Sequence, residues 1–317
     1  KYGLLVLKKS KHLGLKKLLE IAHIDLDKID AQTISFSVGP RINAAGRMDH
    51  ANLAYYMLIE EDEDKATQLA NDINQSNLDR QKLTDQVVRE AKNLKVDLSD
   101  TLLTFYKETW PAGLTGLVAG KLLREYGKPC VVMTKVADQI IGSSRSISGF
   151  NITDALKENE SLINRFGGHP QAAGFAIKEE NMAKLMTNLK AMATKQLAGA
   201  DLTPKIDIEL EIDFEDIAWD LVDLLDKFSP YGQENPEPLF MSKGIKISSA
   251  RKVGLDQKHW KLELSKGNKS KGAIAFGLGE LALAVGDSVD IVYNLSINQW
   301  NGNREIQLII RDIRLAD

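Results

Sequence analysis

Residues 167–175, with the sequence GGHPQAAGF, carry the clearest potential for chemistry in this 317-residue chain. The Gly167-Gly168 pair permits positive φ angles and lets the backbone come close to a ligand. The imidazole of His169 can donate a hydrogen bond to an anionic oxygen near neutral pH. The segment therefore suits a phosphate site, although a tight turn with an exposed histidine explains the same residues equally well.

A second polar segment, residues 142–146 (GSSRS), follows a predicted strand. The three hydroxyls of this segment (Ser143, Ser144 and Ser146) and the guanidinium of Arg145 can bind a phosphate through charge-assisted hydrogen bonds. A polar surface turn is an equally good interpretation of these residues.

Residues 40–47 (PRINAAGR) form a third segment of this kind. Arg41, Asn43 and Arg47 lie among small residues, and small residues allow a nucleic-acid backbone to come close. Taken singly, each of the three segments is a weak signal.

The sequence offers no self-contained metal site. Its five histidines are scattered, at positions 12, 23, 50, 169 and 259. A di-metal centre needs several carboxylates or imidazoles that converge, and we do not expect the Asp49-His50 pair or the aspartates at 25, 27 and 30 to supply them. We therefore predict no metal ligands in this chain.

The composition is that of a globular protein, with 43% hydrophobic and 27% charged residues. Cys130 lies in an apolar run and is predicted to be a packing residue in a reducing compartment. With no leader and no apolar run of about 18 residues, we expect a cytoplasmic protein without a membrane partner. The chain begins at Lys1 inside a strand-like segment, residues 2–7, so it is expected to be a piece of a longer protein.

The net charge of −3 hides a strong local asymmetry. Residues 201–237 carry a balance of −10, whereas residues 243–271 carry a balance of +7. The second segment predicts a local basic patch on a chain that is acidic as a whole.

The elements that must position these residues fall into four predicted regions. Residues 12–58 carry short helical patterns, with residues 36–47 between them as an expected loop. Residues 61–97 hold apolar residues at a helical spacing that predicts one long helix. Alternating strands and helices over residues 98–200 predict an α/β domain. Within it we expect strands at 101–106, 129–135, 139–144 and 173–177, and helices at 116–126, 152–159 and 179–198.

Residues 201–317 follow a linker-like stretch and contain five short strand-like runs separated by turn residues. This pattern favours a small closed sheet, and an OB-type β-barrel is the leading interpretation. The predicted strands cover 240–252, 260–265, 273–276, 289–298 and 305–315, after an amphipathic stretch at 217–228.

In combination, these motifs resemble the RecJ family. The resemblance covers essentially the whole chain and rests on the following segments in order: GPRINAAGRM (39–48), Asn77-x-x-Arg80 on the long helix, GLTGLVAGKL (113–122), SSRS (143–146), GGHPQAAGF (167–175), PYGQENPEP (230–238) and NQWNG (298–302). It implies a DHH-associated α/β domain, preceded by a long connecting helix and followed by an OB-like barrel. It also implies a single-stranded-DNA-specific 5′→3′ exonuclease of DNA recombination and repair.

The resemblance assigns roles to individual residues. It implies that His169, with the Gly167-Gly168 backbone, lies against the reacting phosphate, and that Ser144, Arg145 and Ser146 contact the terminal nucleotide. Arg41, Asn43 and Arg47 would contact DNA. The barrel region combines cationic side chains with aromatic rings, a combination that suits a single strand whose bases are unstacked. These residues are Arg251, Lys252, Lys258, Trp260, Lys261 and Trp300. For Trp260 and Trp300, burial in the barrel core is an equally good interpretation.

The chain departs from the family pattern in two ways. The family's catalytic DHH domain, whose aspartates and histidines bind Mn²⁺ or Mg²⁺, lies N-terminal to the part that this chain resembles, and residues 1–60 correspond to its end. The family often has a histidine after the tryptophan, where this chain has Trp110-Pro111. We therefore expect this chain alone to be inactive, with its metal ligands elsewhere.

Three functions remain open at this point. The leading one is the substrate-binding part of the exonuclease, with single-stranded DNA as partner and a single-strand-binding protein or a helicase as further partners. The others are a non-catalytic single-strand-binding scaffold in a repair or replication assembly, and a phosphodiesterase for short oligonucleotides or cyclic dinucleotides.

Overall fold

The structure is a computed structural model that describes residues 1–48, 51–200, 205–254, 256–300 and 302–316, without the side chain of Trp300. Its contacts divide the chain into two compact units. One unit is Leu5–Pro204, and the other combines Lys1–Leu4 with Lys205–Asp317.

The first unit begins with a helical region whose core lies between α2, α4, α5 and the first half of α6. Asp62 caps α6, because its side chain accepts a hydrogen bond from the Lys65 amide. The single long helix predicted for this region is confirmed. The helices are α1 (Tyr2–Lys8), α2 (Leu13–Ile21), α3 (Ala31–Thr33), a π turn (Ile34–Val38), α4 (Gly39–Met48), α5 (Asn52–Ile59) and α6 (Glu63–Lys92).

The α/β region that follows has a five-stranded sheet in the order β1-β2-β3-β5-β4. Only β1 and β2 are parallel. Its elements are β1 (Leu103–Tyr106), α7 (Thr115–Tyr126), β2 (Cys130–Val136), β3 (Gln139–Arg145), α8 (Ile152–Lys157), β4 (Arg165–His169), β5 (Ala172–Lys178) and α9 (Glu179–Gln196).

Two layers of helices cover this sheet. One face packs against α7 and the end of α6, and the other face packs against α8 and α9. Cys130 is fully buried in the first of these cores, where burial raises the pKa of its thiol to about 12. The prediction that this cysteine is a packing residue is confirmed.

The second unit contains a closed five-stranded barrel in the order β7-β8-β9-β11-β10, with β10 pairing back to β7. Strands β9 and β11 are parallel, and this arrangement is that of an OB-fold. The prediction of a closed OB-type barrel is confirmed. Its elements are β6 (Leu210–Glu211), α10 (Trp219–Phe228), β7 (Phe240–Val253), β8 (His259–Lys266), β9 (Lys269–Ala275), β10 (Ser288–Trp300) and β11 (Asn303–Leu315).

Three local expectations are wrong. Residues 2–7 are helical rather than a strand, because a short apolar run has no periodicity that separates the two. The loop expected around residues 36–47 is a π turn followed by α4. The Gly167-Gly168 pair lies in the edge strand β4, not in a turn, because the β4–β5 hairpin turns at Pro170 and Gln171.

Candidate nucleic-acid interface

A cleft of about 400 Å³ opens in the first unit between α4, the start of α7 and the strands β3, β4 and β5. Seven of its ten lining residues are alanine or glycine, and the other three are Arg47, Ser143 and Arg145. A concave surface with small walls and two cationic side chains suits a phosphate-bearing ligand.

Arg47 and Arg145 are held in place by backbone carbonyls. Arg47 Nη1 donates to the carbonyl of Gly113 at 3.1 Å, and Arg145 Nη1 donates to the carbonyl of Ser144 at 2.9 Å. Neither bond neutralises the guanidinium charge. Both side chains therefore keep donors and a full positive charge for a ligand.

A third guanidinium lies close to Arg47. Arg80, on α6, donates from Nη2 to the side-chain oxygen of buried Asn77 at 2.9 Å. Its Nε is buried and has no hydrogen-bond partner within the described residues. Arg80 was not among the site residues predicted from the sequence, although Asn77-x-x-Arg80 was part of the pattern.

The electrostatics of this group are unfavourable without a ligand. Burial lowers the pKa of Arg80 and of Arg145, and the nearby charge of Arg47 lowers each pKa further. Within the described ranges, none of these three arginines forms an ion pair with a carboxylate. A bound anion would relieve this concentration of positive charge.

Two glycines make the close packing of the cleft wall possible. A Cβ at Gly113 would lie 2.5 Å from the carbonyl oxygen of Arg47, and a Cβ at Gly116 would lie 3.3 Å from Arg145 Nη2. The two glycines follow Trp110 in the sequence. Trp110 is buried and donates a hydrogen bond from Nε1 to the Glu90 carboxylate at 2.9 Å. Pro111 then precedes the turn at Ala112–Leu114, so this loop forms one wall of the cleft.

The predicted GGH residues lie at the edge of the sheet. Gly167 lines the cleft, whereas Gly168 packs on β5, since a Cβ there would lie 2.3 Å from the carbonyl oxygen of Ala172. His169 is exposed at the end of β4, and its carbonyl accepts a hydrogen bond from Thr153 Oγ1 at 2.7 Å. Its imidazole does not line the cleft.

The contact predicted for the hydroxyls of Ser144 and Ser146 is wrong. Both side chains are buried, and they donate to the carbonyls of Ala173 at 2.9 Å and Phe150 at 2.6 Å. Side chains alternate along a strand, so Ser143 and Arg145 share the open face of β3 while Ser144 points inward. The sequence reasoning named all three serines of this segment, and the period-two rule separates Ser143 from Ser144.

Arg41 and Asn43 are not brought into the cleft. Arg41 donates to the side chain of Asn74 at 3.0 Å and to the carbonyl of Ser37 at 2.8 Å, so it ties α4 to α6. Asn43 is exposed on α4 and does not line the cleft. Of the three polar residues predicted in this segment, only Arg47 reaches it.

The basic residues predicted in the barrel lie at one end of β7 and β8. Arg251 and Lys261 face each other on these adjacent strands, and both are exposed. Lys252 places its ammonium 5.1 Å from the centre of the Trp260 ring, and Lys258 pairs with Asp256 at 2.7 Å. These residues form a basic edge on the barrel.

The stacking role predicted for Trp260 is wrong. Its side chain is only 7% exposed and belongs to the barrel core. The Lys252 ammonium lies over the ring as well, so little of the ring is open to a base. The side chain of Trp300 lies outside the described residues, so its predicted role stays a prediction.

Neither metals nor membranes are indicated by the described part of the chain. No group of three or more histidine, cysteine or acidic side chains is placed to hold a metal ion there. None of the helices it contains is long and apolar enough to span a bilayer.

Comparison with known domain families gives two matches. Residues 99–195 match the DHHA1 domain, and residues 208–312 match the RecJ OB domain.

Related proteins match over nearly the whole chain. The single-stranded-DNA-specific exonuclease RecJ of Bacillus subtilis is 32% identical over 99% of this chain and 41% of its own length. The Escherichia coli protein of the same name is 30% identical over 95% of this chain and 54% of its own length. This chain therefore spans about half the length of these relatives.

A solved structure shows the same fold. RecJ from Thermus thermophilus in complex with Mn²⁺ superposes with a TM-score of 0.85, at 26% identity, over 99% of this chain and 46% of that one. A structure of the same protein with Mg²⁺ gives a TM-score of 0.84, at 26% identity, over 99% of this chain and 48% of that one.

Proposed function

We propose that this chain, which belongs to the RecJ family and carries its DHHA1 and OB domains, holds the substrate strand of a single-stranded-DNA-specific 5′→3′ exonuclease. The observation that carries this proposal is the group of three guanidiniums, from Arg47, Arg80 and Arg145, at a cleft with glycine walls. Such a group binds a phosphate through charge-assisted hydrogen bonds.

The cleft is proposed to hold a phosphate of the terminal nucleotide. Arg47 and Arg145 would donate to its oxygens, with the Ser143 hydroxyl beside them. Gly116 and Gly167 leave room for the sugar and backbone to approach. Arg80 is proposed to strengthen the positive field behind these contacts.

His169 is proposed to lie against the reacting phosphate, next to the cleft. Its support is its place two residues beyond Gly167, which lines the cleft, and the exposure of its side chain. If the intact nuclease is used, His169→Ala should lower kcat far more than it weakens binding, because a group at the reacting phosphate acts mainly in the transition state.

The catalytic Mn²⁺ or Mg²⁺ is proposed to be held by residues outside this chain. The described residues do not fit such an ion, since they contain no converging set of ligands. The DHHA1 and OB domains would then position the strand, and hydrolysis would take place at the metal site outside this chain. A single-strand-binding protein or a helicase would deliver it.

The test measures binding of single-stranded DNA with and without a 5′-phosphate by the purified chain. We expect Arg47→Ala and Arg145→Ala to weaken binding of the phosphorylated strand by at least about tenfold, as expected for loss of about 1.5–3 kcal/mol from a hydrogen bond to a charged group. Arg124→Ala is the matched control, because Arg124 is exposed in the last turn of α7, far from Gly116 in its first. Equal binding by all variants would refute the proposed phosphate site.

A second measurement tests whether this chain binds the strand without hydrolysing it. The chain incubated with Mn²⁺ and single-stranded DNA should bind the strand and release no nucleotides. Metal-dependent degradation by the chain alone would contradict the proposal that its ligands lie elsewhere.

A further inference from the structure

We propose that Phe276 is the ring on which the barrel stacks a nucleobase, and that Lys261 and Arg251 bind the adjoining phosphate. This inference rests on the proposed function and states where the barrel contacts the strand. Nothing in the sequence pattern selected Phe276, since the tryptophans were the more obvious rings.

The register of the strands defines this face. Trp260 pairs with Ala275 and both are buried, so these positions face the barrel core. Their neighbours alternate with them and point outward. Lys261 pairs with Ile274 on β9 and with Arg251 on β7, which makes one outward row.

Phe276 directly follows β9 and contacts His259, which begins the next outward row on β8. Phe276 is 55% exposed. The two rings form a T-shaped contact, with ring centres 5.3 Å apart and planes at 73°. Phe276 is therefore accessible and held in a defined orientation, whereas Trp260 is buried.

A hydrogen bond fixes this arrangement. The amide of Gly277 donates to His259 Nδ1 at 2.8 Å, immediately after Phe276. His259 also lies against Gly254, where a Cβ would come within 3.0 Å of its ring. His259 is thus a positioning residue that ties the Phe276 segment to β8.

The spacing of the two rows suits a nucleotide. Rows two residues apart on a strand are separated by about 7 Å. One row offers an aromatic face and the next offers the cations of Arg251 and Lys261, so a base and a phosphate of one strand can contact both. The outward face of the second and third strands is also where OB-folds bind oligonucleotides.

The test compares two ligands on the whole chain. One is oligothymidylate, and the other is a deoxyribose-phosphate strand of equal length that lacks bases. Phe276→Ala should weaken oligothymidylate binding by about 5- to 150-fold, the range for loss of one stacked base, and leave binding of the base-free strand unchanged. Lys261→Ala should weaken binding of both strands.

Two further variants separate stacking from damage to the fold. Phe276→Tyr keeps a ring and should bind as the original chain does, whereas Phe276→Leu keeps an apolar side chain without a ring and should lose oligothymidylate selectively. Phe228→Ala is the matched control, since Phe228 is 61% exposed on α10 of the same unit, next to Lys227 and near Asp226. It should change neither binding constant.

The outcomes are distinguishable from those of the proposed function. If the original chain binds neither strand, the proposed function itself fails. If it binds oligothymidylate and Phe276→Ala and Phe276→Leu bind equally well, or weaken both ligands alike, the stacking site is refuted.

His259→Ala tests the positioning role. It should remove the hydrogen-exchange protection of the Gly277 amide and weaken oligothymidylate binding, with the base-free strand unaffected. Loss of protection without any loss of oligothymidylate binding would refute the role of His259 and leave that of Phe276 intact.

Discussion

In the cleft of the α/β region, Arg80 and Arg145 are half-buried and pair with no described carboxylate. Most cations of the barrel are exposed, and several form ion pairs. Examples in the barrel are Lys243–Glu211 at 2.8 Å and Lys266–Asp213 at 3.5 Å. The same class of side chain is thus used in two physical settings.

Each setting favours a different way of binding DNA. In the cleft, the cost of burying charge is met during folding, so the donors are already oriented when a phosphate arrives. On the barrel, exposed cations would bind mainly by releasing counterions, and such binding tolerates different sequences and weakens with salt. One region suits a single defined phosphate, and the other suits a long strand.

Trp260→Ala should have the largest effect, and it acts on the barrel alone. The variant should lose about 3–5 kcal/mol of folding free energy, because a buried tryptophan leaves a large cavity. Chemical denaturation monitored by circular dichroism measures this loss. Binding of a 5′-phosphate in the cleft should persist under native conditions, and its loss would show that the two regions are coupled.

Gly113→Ala should have the next largest effect, on the cleft. The added Cβ would lie 2.5 Å from the backbone oxygen of Arg47, so the chain must shift at a cost of about 1–3 kcal/mol. The matched control is Gly120→Ala on α7, where a Cβ would have no contact within 4 Å and alanine should stabilise the helix by about 0.5–1 kcal/mol. Equal stability of the two variants in thermal unfolding would contradict the close packing of this wall.

Arg145→Met tests the effect of the half-buried charge on the stability of the free chain. Methionine keeps the apolar stem and removes the charge, so the free chain should become more stable by about 0.5–2 kcal/mol while phosphate binding weakens. Lys261→Met on the exposed barrel face should leave stability nearly unchanged. Destabilisation of the chain by Arg145→Met would argue against stored charge repulsion in the cleft.

The smallest effect concerns pH. Hydrogen bonds from Lys107, Gln86 and Trp110 lower the pKa of Glu90 from its usual 4.5 to about 2. The stability from this carboxylate is therefore fully present above about pH 4.5 and is lost as the pH falls towards about 2. Glu90→Gln should flatten the fall in melting temperature over this window, and an unchanged pH profile would contradict the role of Glu90.

Elements with long or alternating patterns could be predicted from the sequence alone. The long helix, the core strands of the α/β sheet and the five barrel strands follow from apolar periodicity, which reports burial directly. Residues 2–7 and 36–47 could not be assigned correctly, since short apolar or glycine-containing runs fit several conformations.

The candidate site divides in the same way. The segments that carry phosphate-binding groups can be identified from residue types alone, because glycine, serine and arginine offer close approach and donors in any fold. Which residues of those segments meet depends on how the elements pack. On β3, alternation places Ser143 and Arg145 on the open face and Ser144 on the buried one. The long helix α6 places Arg80 close to Arg47, which is far from it in the sequence. Closure of the barrel buries Trp260 and leaves Phe276 exposed. Each of these outcomes depends on which face of an element is covered by another, and no local pattern contains that information.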